Sequence, residues 1–230
     1  MDALQDAALE TVRTTLAFFK QAARPEELRE RFIPIAGPEG AVLAPLCEMH
    51  AGDPTIIAAL ARWREENAWV YPTQFRITLE GTADWLRRLI LDAPDRILFL
   101  IQDADGTPIG HVGFAHALQQ AGEIKLENAV RGDPGRLPGI MTPAVRTALE
   151  WAQRTLGVRR FNGPVFSDNM RIRHFLAGLG FREVGLIPLR RHEEGDRVFY
   201  RHVGPDDRLP PDRFHIRVVY TPAEAGVSAA

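Results

Sequence analysis

A loop between two predicted elements combines features that favour the binding of an anion. A strand-like run, Glu123 to Val130, leads into residues 131–139, which are rich in glycine and proline and therefore irregular. A helix-like pattern begins at Thr142. Such a loop leaves backbone N–H groups unpaired beside the positive end of the helix dipole, an arrangement that suits a pyrophosphate. Gly139 permits close approach of the backbone, and Arg136 adds a charged donor.

A second informative segment lies downstream. Val165-Phe-Ser-Asp-Asn169 closes a predicted strand and opens a short helix that ends in Gly178-Leu-Gly-Phe181. Asn169 is a good helix N-cap in its own right. The string Arg136-Leu-Pro-Gly139-Ile-Met141 resembles the coenzyme A pyrophosphate motif of GNAT acetyltransferases, although Met141 stands where that family prefers Gly or Ala. The later string is similar to the family's Asn, short helix and Gly-Phe motif, so residues 96–189 resemble the GNAT core.

This resemblance implies an enzyme that transfers an acetyl group from acetyl-coenzyme A to an amine. In the family, the pyrophosphate lies on the loop and the asparagine contacts the pantetheine or the neighbouring backbone. The residues that we therefore expect at the coenzyme A site are Ala129, Val130, Arg131, Arg136, Leu137, Pro138, Gly139, Ile140, Met141, Thr142 and Asn169.

A reaction of this kind needs a base, direct or through water, because an ammonium with a pKa near ~10 is not a nucleophile. Glu127 is the first candidate because it lies on the loop-proximal part of its strand, and His111 on the adjacent predicted strand is the second. Their alternative roles are a solvated charge and a packed core histidine. The tyrosine that protonates the leaving thiolate in many family members is replaced by Leu176, which leaves His174 or Tyr200 as candidate acids.

Three hypotheses about the function of the domain remain open. Similarity of the 126–132, 74–91 and 165–169 segments to enzymes that acetylate amino-sugar nucleotides favours a small-molecule amine. The alternatives are a protein or peptide N-terminus, or a degenerate domain that only binds coenzyme A. Candidate contacts to a nucleotide diphosphate are Arg76, Arg87, Arg190 and Arg191. The aromatic residues near the expected acceptor side are Trp63, Trp69, Tyr71 and Phe75, and for Trp63 we expect core packing.

Composition excludes several other classes. The 230 residues carry 28 basic and 30 acidic side chains, so no overall field favours nucleic acid or an anionic membrane. The single cysteine, Cys47, and the lack of a His-x-x-x-His spacing predict no metal site. No signal sequence or bilayer-length apolar run is evident, which predicts a cytoplasmic protein. A homodimer is a possible assembly.

The elements that must position these residues follow from periodicity. The chain predicts an amphipathic first helix, then helices over 53–67 and 82–91, a hairpin through Asp105-Gly106, a strand at 123–130, and strand-helix-strand-helix-strand to residue 189. Further strands are predicted at 197–203 and 215–220. The fold class is α/β (α+β): a GNAT-like mixed, mostly antiparallel sheet with a splayed central strand pair and helices on both faces. The expected parts are an N-terminal helix and linker, 1–40, an acyltransferase domain, 41–204, and a C-terminal extension, 205–230.

Overall fold

The computed structural model describes residues 3–204 and 207–222. Within them the helices are α1 (Ala3–Lys20), α2 (Pro25–Arg29), α3 (Pro54–Glu66), α4 (Leu79–Leu86), α5 (Met141–Leu156) and α6 (Met170–Gly178). The strands are β1 (Ile33–Pro34), β2 (Val42–Pro45), β3 (Thr73–Gln74), β4 (Ile97–Gln102), β5 (Pro108–Ala115), β6 (Glu123–Arg131), β7 (Arg160–Phe166), β8 (Arg182–Glu194), β9 (Arg197–His202) and β10 (Arg213–Tyr220).

These strands form one ten-stranded sheet in the order β1-β2-β4-β5-β6-β7-β10-β8-β9-β3. Neighbouring strands are antiparallel except for β6 and β7, which are parallel and pair only where residues 123–125 face residues 160–162. Beyond this short register the two strands separate, and a gap opens in the middle of the sheet. The predicted mixed, mostly antiparallel sheet with a splayed central pair is therefore confirmed.

Helices cover both faces of the sheet. On one face α1, α5 and α6 pack over an aromatic core in which Trp151 contacts Phe99 and Phe19 edge to face. On the other face α3 and α4 bury a second apolar cluster that includes Trp63 and Leu86. The hydrophobic residues of each helix fall on one side at helical spacing, so burial against the sheet explains why these segments are helical.

The first helix is fastened to the rest of the fold at its C-terminal end. The ammonium of Lys20 is almost fully buried and donates hydrogen bonds to the backbone carbonyls of Ile90 and Ala93. These carbonyls belong to the wide π turn at Arg87–Leu91 that ends α4 and to the residues after it. Lys20 therefore caps a helix end that otherwise lacks donors.

The same π turn corrects one expectation. The sequence predicts an α-helix over 82–91 with Trp85, Leu86 and Leu89 on its buried face, whereas Leu89 is exposed and Ile90 and Leu91 are buried. The wide turn contains one more residue than an α-helical turn, so the residues after Leu86 are rotated about the helix axis by one position. The buried face is therefore formed by the residues that follow Leu89.

The last described strand lies inside the sheet. β10 pairs antiparallel with β7 on one side and with β8 on the other. The predicted strand at 215–220 is thus confirmed, whereas part of the predicted C-terminal extension lies outside the described residues. No helix among the described residues has the length and apolarity needed to cross a bilayer.

Candidate active site

A bulge in β6 lies beside the gap between the two central strands. His111 of β5 pairs with Val130, but Gly113 pairs with Glu127. The two residues Asn128 and Ala129 therefore lie opposite the single residue between His111 and Gly113. Asn128 takes a left-handed conformation with φ of +54°. A bulge of this kind removes backbone groups from the ladder and aims them elsewhere. Here it does so on the strand that borders the gap.

The gap forms the floor of a cavity of about 740 Å³. Its walls come from the end of α3 and the segment after it, from β6, from the start of α5, from the end of β7 and from α6. Of the residues expected from sequence, those that line this cavity are Glu127, Ala129, Val130, Arg131, Gly139, Met141, Thr142 and Asn169. Those that do not are His111, His174, Arg136, Leu137, Pro138 and Ile140.

The loop before α5 has the backbone form of an anion cradle. Leu137 and Gly139 both have positive φ, at 41° and 84°, with Pro138 between them. The N–H groups of Arg136, Leu137 and Gly139 make no hydrogen bond to the described part of the chain. Unpaired N–H groups in such alternating conformations, at the positive end of a helix, attract negative charge. The loop therefore offers a site for a phosphate group.

Two arginines stabilise this loop from its protein side. Arg136 forms ion pairs with Asp103, which is buried, and with the exposed Asp105 in the β4–β5 turn. Its guanidinium therefore lies on the hairpin rather than in the cavity, and the same contact keeps the pKa of Asp103 below its usual value even though burial opposes it. Arg131 donates to the backbone carbonyls of Pro134 and Arg136 and also lines the cavity.

Helix α6 begins at the cavity wall. The side-chain oxygen of Asn169 accepts the N–H of Ile172 at 3.2 Å, so Asn169 caps the helix while it lines the cavity. Leu176, at the position of the family's tyrosine, presents an apolar wall. His174 is exposed on the same helix and lies outside the cavity lining, as does Tyr200. Neither candidate acid is brought to the site.

Glu127 is on the cavity floor and is the centre of a small ionic network. Its carboxylate contacts Arg96 at 3.1 Å and Lys125 at 3.4 Å, and it accepts a hydrogen bond from the Asn128 amide at 3.2 Å. It is mostly buried, which strengthens these contacts relative to surface pairs. The first base candidate thus reaches the site, but with two cations beside it.

His111 lies behind the bulge. Its Nδ1 is 2.6 Å from the carbonyl oxygen of Asn128, and Trp63 packs over the ring with a centroid distance of 5.8 Å. Complete burial lowers the pKa of His111 to about 4, so the imidazole is neutral. Since it does not line the cavity, the structure does not bring it to a proton-transfer position.

Four basic residues of the cavity lining were missed by sequence reasoning: Arg64, Arg96, Lys125 and Arg171. Its described basic lining residues are Arg64, Arg96, Lys125, Arg131 and Arg171, against Glu127 as the acidic one. The arginines expected to contact an anion are elsewhere: Arg87 pairs with Glu48, Arg190 with Asp207 and Asp212, Arg191 with Glu193, and Arg76 is outside the lining. Of the expected aromatic residues, Trp69 and Tyr71 line the cavity, whereas Trp63 is core and Phe75 is outside the lining.

His215 of β10 also lines the cavity, beside Phe166, with a ring-centroid distance of 4.6 Å. Its Nδ1 is buried and has no hydrogen-bond partner among the described residues. Burial, with smaller contributions from His202, Arg213 and Lys125, lowers the pKa of His215 to about 4. Only the tertiary fold places it there, because its strand enters the sheet next to β7.

Comparison with protein families identifies the family of this chain. A family described as acetyltransferase (GNAT) domain matches residues 44–182, more than half of the chain. The chain belongs to the GNAT acetyltransferase family. It is accordingly an acetyl-CoA-dependent N-acetyltransferase, as the sequence motifs imply. Comparison with curated proteins gives no match.

Solved structures of other GNAT acetyltransferases share the fold. A probable GNAT-family acetyltransferase from Chromobacterium violaceum has 22% identity and a TM-score of 0.57 over 82% of this chain and 92% of that one. The spermidine N-acetyltransferase from Vibrio cholerae, in complex with CoA and spermine, has 17% identity and a TM-score of 0.56 over 79% of this chain and 95% of that one. A ribosomal-protein-S5-alanine acetyltransferase from Vibrio fischeri has 18% identity and a TM-score of 0.58 over 80% of this chain and 94% of that one. At these identities the likeness concerns the fold alone.

Proposed function

We propose that this GNAT enzyme acetylates the primary amine of a small anionic acceptor, and that the acceptor is an amino-sugar nucleotide. The observation that carries this proposal is the charge of the cavity. Among its described lining residues, basic side chains exceed acidic ones by five to one. In an enzyme of this kind, basic side chains in the cavity can serve both the phosphates of coenzyme A and an anionic acceptor.

The residues that would hold coenzyme A are those of the loop and of α6. The unpaired N–H groups of Arg136, Leu137 and Gly139 fit a pyrophosphate. Arg131, Arg171 and Asn169 line the same cavity, and the two arginines supply positive charge. Bound acetyl-coenzyme A supplies the acetyl group as a thioester. The chain itself positions that acetyl group and stabilises the negative charge of the phosphates.

Proton removal from the acceptor is favoured by the cations around the floor. A positively charged ammonium beside Arg64, Arg96 and Lys125 is repelled, which lowers its pKa and raises the fraction of free amine. The carboxylate of Glu127 is the acceptor for the released proton, directly or through a water.

Arg64 is the main candidate for recognising the acceptor's negative charge. It stacks on Tyr71, with its guanidinium carbon 3.2 Å from the ring centroid, and donates to the carbonyl of Thr73 at 3.0 Å. It forms no ion pair with a carboxylate in the described part of the chain, and burial lowers its pKa. A desolvated guanidinium with spare donors favours a diphosphate. The same charge disfavours a polyamine.

An acceptor screen tests the proposal. Consumption of acetyl-coenzyme A should be measured with free amino sugars, amino-sugar nucleotides, spermidine and peptides beginning with alanine. We expect turnover chiefly with the nucleotides. Arg64→Gln should then raise the KM for the nucleotide by about 10- to 100-fold, the loss of one charge-assisted hydrogen bond, and leave the KM for acetyl-coenzyme A unchanged.

Arg62→Gln is the matched control, because Arg62 is on the same helix but is exposed and pairs with the exposed Glu66. It should behave as the wild type. Turnover of peptides without turnover of any amino-sugar nucleotide would transfer the proposal to a protein N-terminal acetyltransferase. Coenzyme A binding without turnover of any amine would instead favour a domain that only binds the cofactor.

A further inference from the structure

The peptide bond between Asn128 and Ala129 lies in the β6 bulge. Both residues line the cavity, and neither has a partner in the register with β5. β5 lies on one side of β6, and the gap toward β7 lies on the other. The orientation of this one peptide therefore decides whether a carbonyl or an N–H faces the gap.

His111 fixes that orientation. A carbonyl oxygen can only accept, so the 2.6 Å contact requires that Nδ1 of His111 carries the proton and donates it to Asn128. The imidazole is itself held in place by Trp63 above and by its own strand below. The hydrogen bond consequently pulls the Asn128 carbonyl toward β5.

The consequence for Ala129 follows from peptide geometry. In a planar trans peptide the C=O and the next N–H point in opposite directions. With the carbonyl of Asn128 turned toward β5, the N–H of Ala129 points away from β5 and into the gap. A fixed donor at that place can polarise a thioester carbonyl and stabilise the negative charge that develops on its oxygen.

We propose that His111 is a positioning residue, which holds the Asn128–Ala129 peptide so that the Ala129 N–H serves as the oxyanion donor. Its role is thus structural control of a donor and not proton transfer. The proposal concerns the acetyl half of the reaction and is independent of the identity of the acceptor. It also accounts for a histidine with no access to the cavity at this position.

The direct test is the carbonyl stretch of bound acetyl-coenzyme A labelled with ¹³C at the thioester carbonyl, measured by isotope-edited infrared difference spectroscopy. No acceptor is needed. In the wild type the band should shift to lower frequency than in free acetyl-coenzyme A. His111→Leu should lose this shift, because the ring is replaced by an apolar group. His111→Asn should retain it, because the amide Nδ2 donates from the position of Nδ1.

Calorimetric affinity for acetyl-coenzyme A should be similar in all three proteins, since the loop at the start of α5 is untouched. An unchanged band in His111→Leu, or equal loss of the shift in the Asn and Leu variants, overturns the proposal. A second measurement needs no variant: ¹⁵N NMR of the wild-type imidazole should show the Nδ1–H tautomer from about pH 5 to about pH 8. The Nε2–H tautomer, or titration within that range, would equally reject it.

Discussion

Acid should destabilise this protein through buried imidazoles, chiefly those of His111 and His215, before it affects the carboxylates. His111 and His215 are neutral in the fold, where burial lowers the pKa of each from 6.5 to about 4. In the unfolded chain both regain an ordinary pKa. Between these values the unfolded state binds more protons than the native state. Stability is therefore complete above the unfolded pKa and is lost as the pH falls toward the folded pKa.

The size of the effect follows from the shift. A displacement from 6.5 to about 4 corresponds to about 3 kcal/mol for His111 once the pH is below both values. His215 lines the cavity rather than the packed interior, so we expect a smaller contribution of about 1–2 kcal/mol from it. Asp103 and Asp168 have pKa values below the ordinary 3.8, so their contribution is lost only at lower pH. The pH range in which the histidines lower stability is therefore separate from the range in which these carboxylates do.

The assay is urea unfolding, followed by tryptophan fluorescence, at several pH values from about 7.5 to about 5. The wild type should lose about 1–3 kcal/mol of unfolding free energy over this range. The double variant His111→Asn/His215→Gln should show a smaller slope. It should not be flat, because buried His50 also has a lowered pKa. His174→Asn, at an exposed position, is the control. A wild-type stability that is constant over this range, or a double variant with the full slope, would refute the reasoning.

Three further changes test contacts that hold the fold and the loop. Lys20→Met should lower the unfolding free energy by about 1–3 kcal/mol, because two buried carbonyls lose their donor. Gly132→Ala should lower both stability and acetyl-coenzyme A affinity, because an added Cβ would lie 1.9 Å from the ring of Trp63. Arg136→Ala and Asp103→Ala should each weaken acetyl-coenzyme A binding, and in the double variant the losses should not add.

Each of these has a control. For the lysine it is Arg13→Met, an exposed position on the same helix, which should leave the denaturation midpoint in place. For the glycine it is Gly135→Ala, where the nearest atom is a carboxylate oxygen at 3.3 Å; calorimetry should find it close to wild type. In the double-mutant cycle, additive losses of affinity would mean that Arg136 contacts the cofactor directly rather than through the hairpin.

Much of the fold is predictable because its signals are local. The N-cap of α3 is an example: Asp53 accepts the N–H of Thr55 at 2.8 Å, as an Asp before Pro54 predicts. The hairpin turn at Gly106, with φ of +77°, is another. No local sequence signal marks the π turn after Leu86, and the side chain that bonds its Ile90 carbonyl, Lys20, is far away in the sequence.

The site is predictable in its backbone and less so in its side chains. The loop at Gly139 and the cap at Asn169 follow from local motifs, but their role in binding stays a prediction. Arg64 and His215 gave no sequence signal. The helix that carries Arg64 and the strand that carries His215 come to the cavity only in the folded chain. The domain limits, a cytoplasmic location and a homodimer also remain predictions.

The position of β10 has a consequence for synthesis on the ribosome. The chain is made from its N-terminus, yet the strand that completes the centre of the sheet is the last one described, after β8 and β9. A nascent chain that has emerged only as far as β9 leaves the outer edge of β7 without its neighbour, and the cavity without the wall that carries His215. Unpaired strand edges attract other chains. The edge of β7 therefore stays open to other chains until residues 213–220 have cleared the exit tunnel.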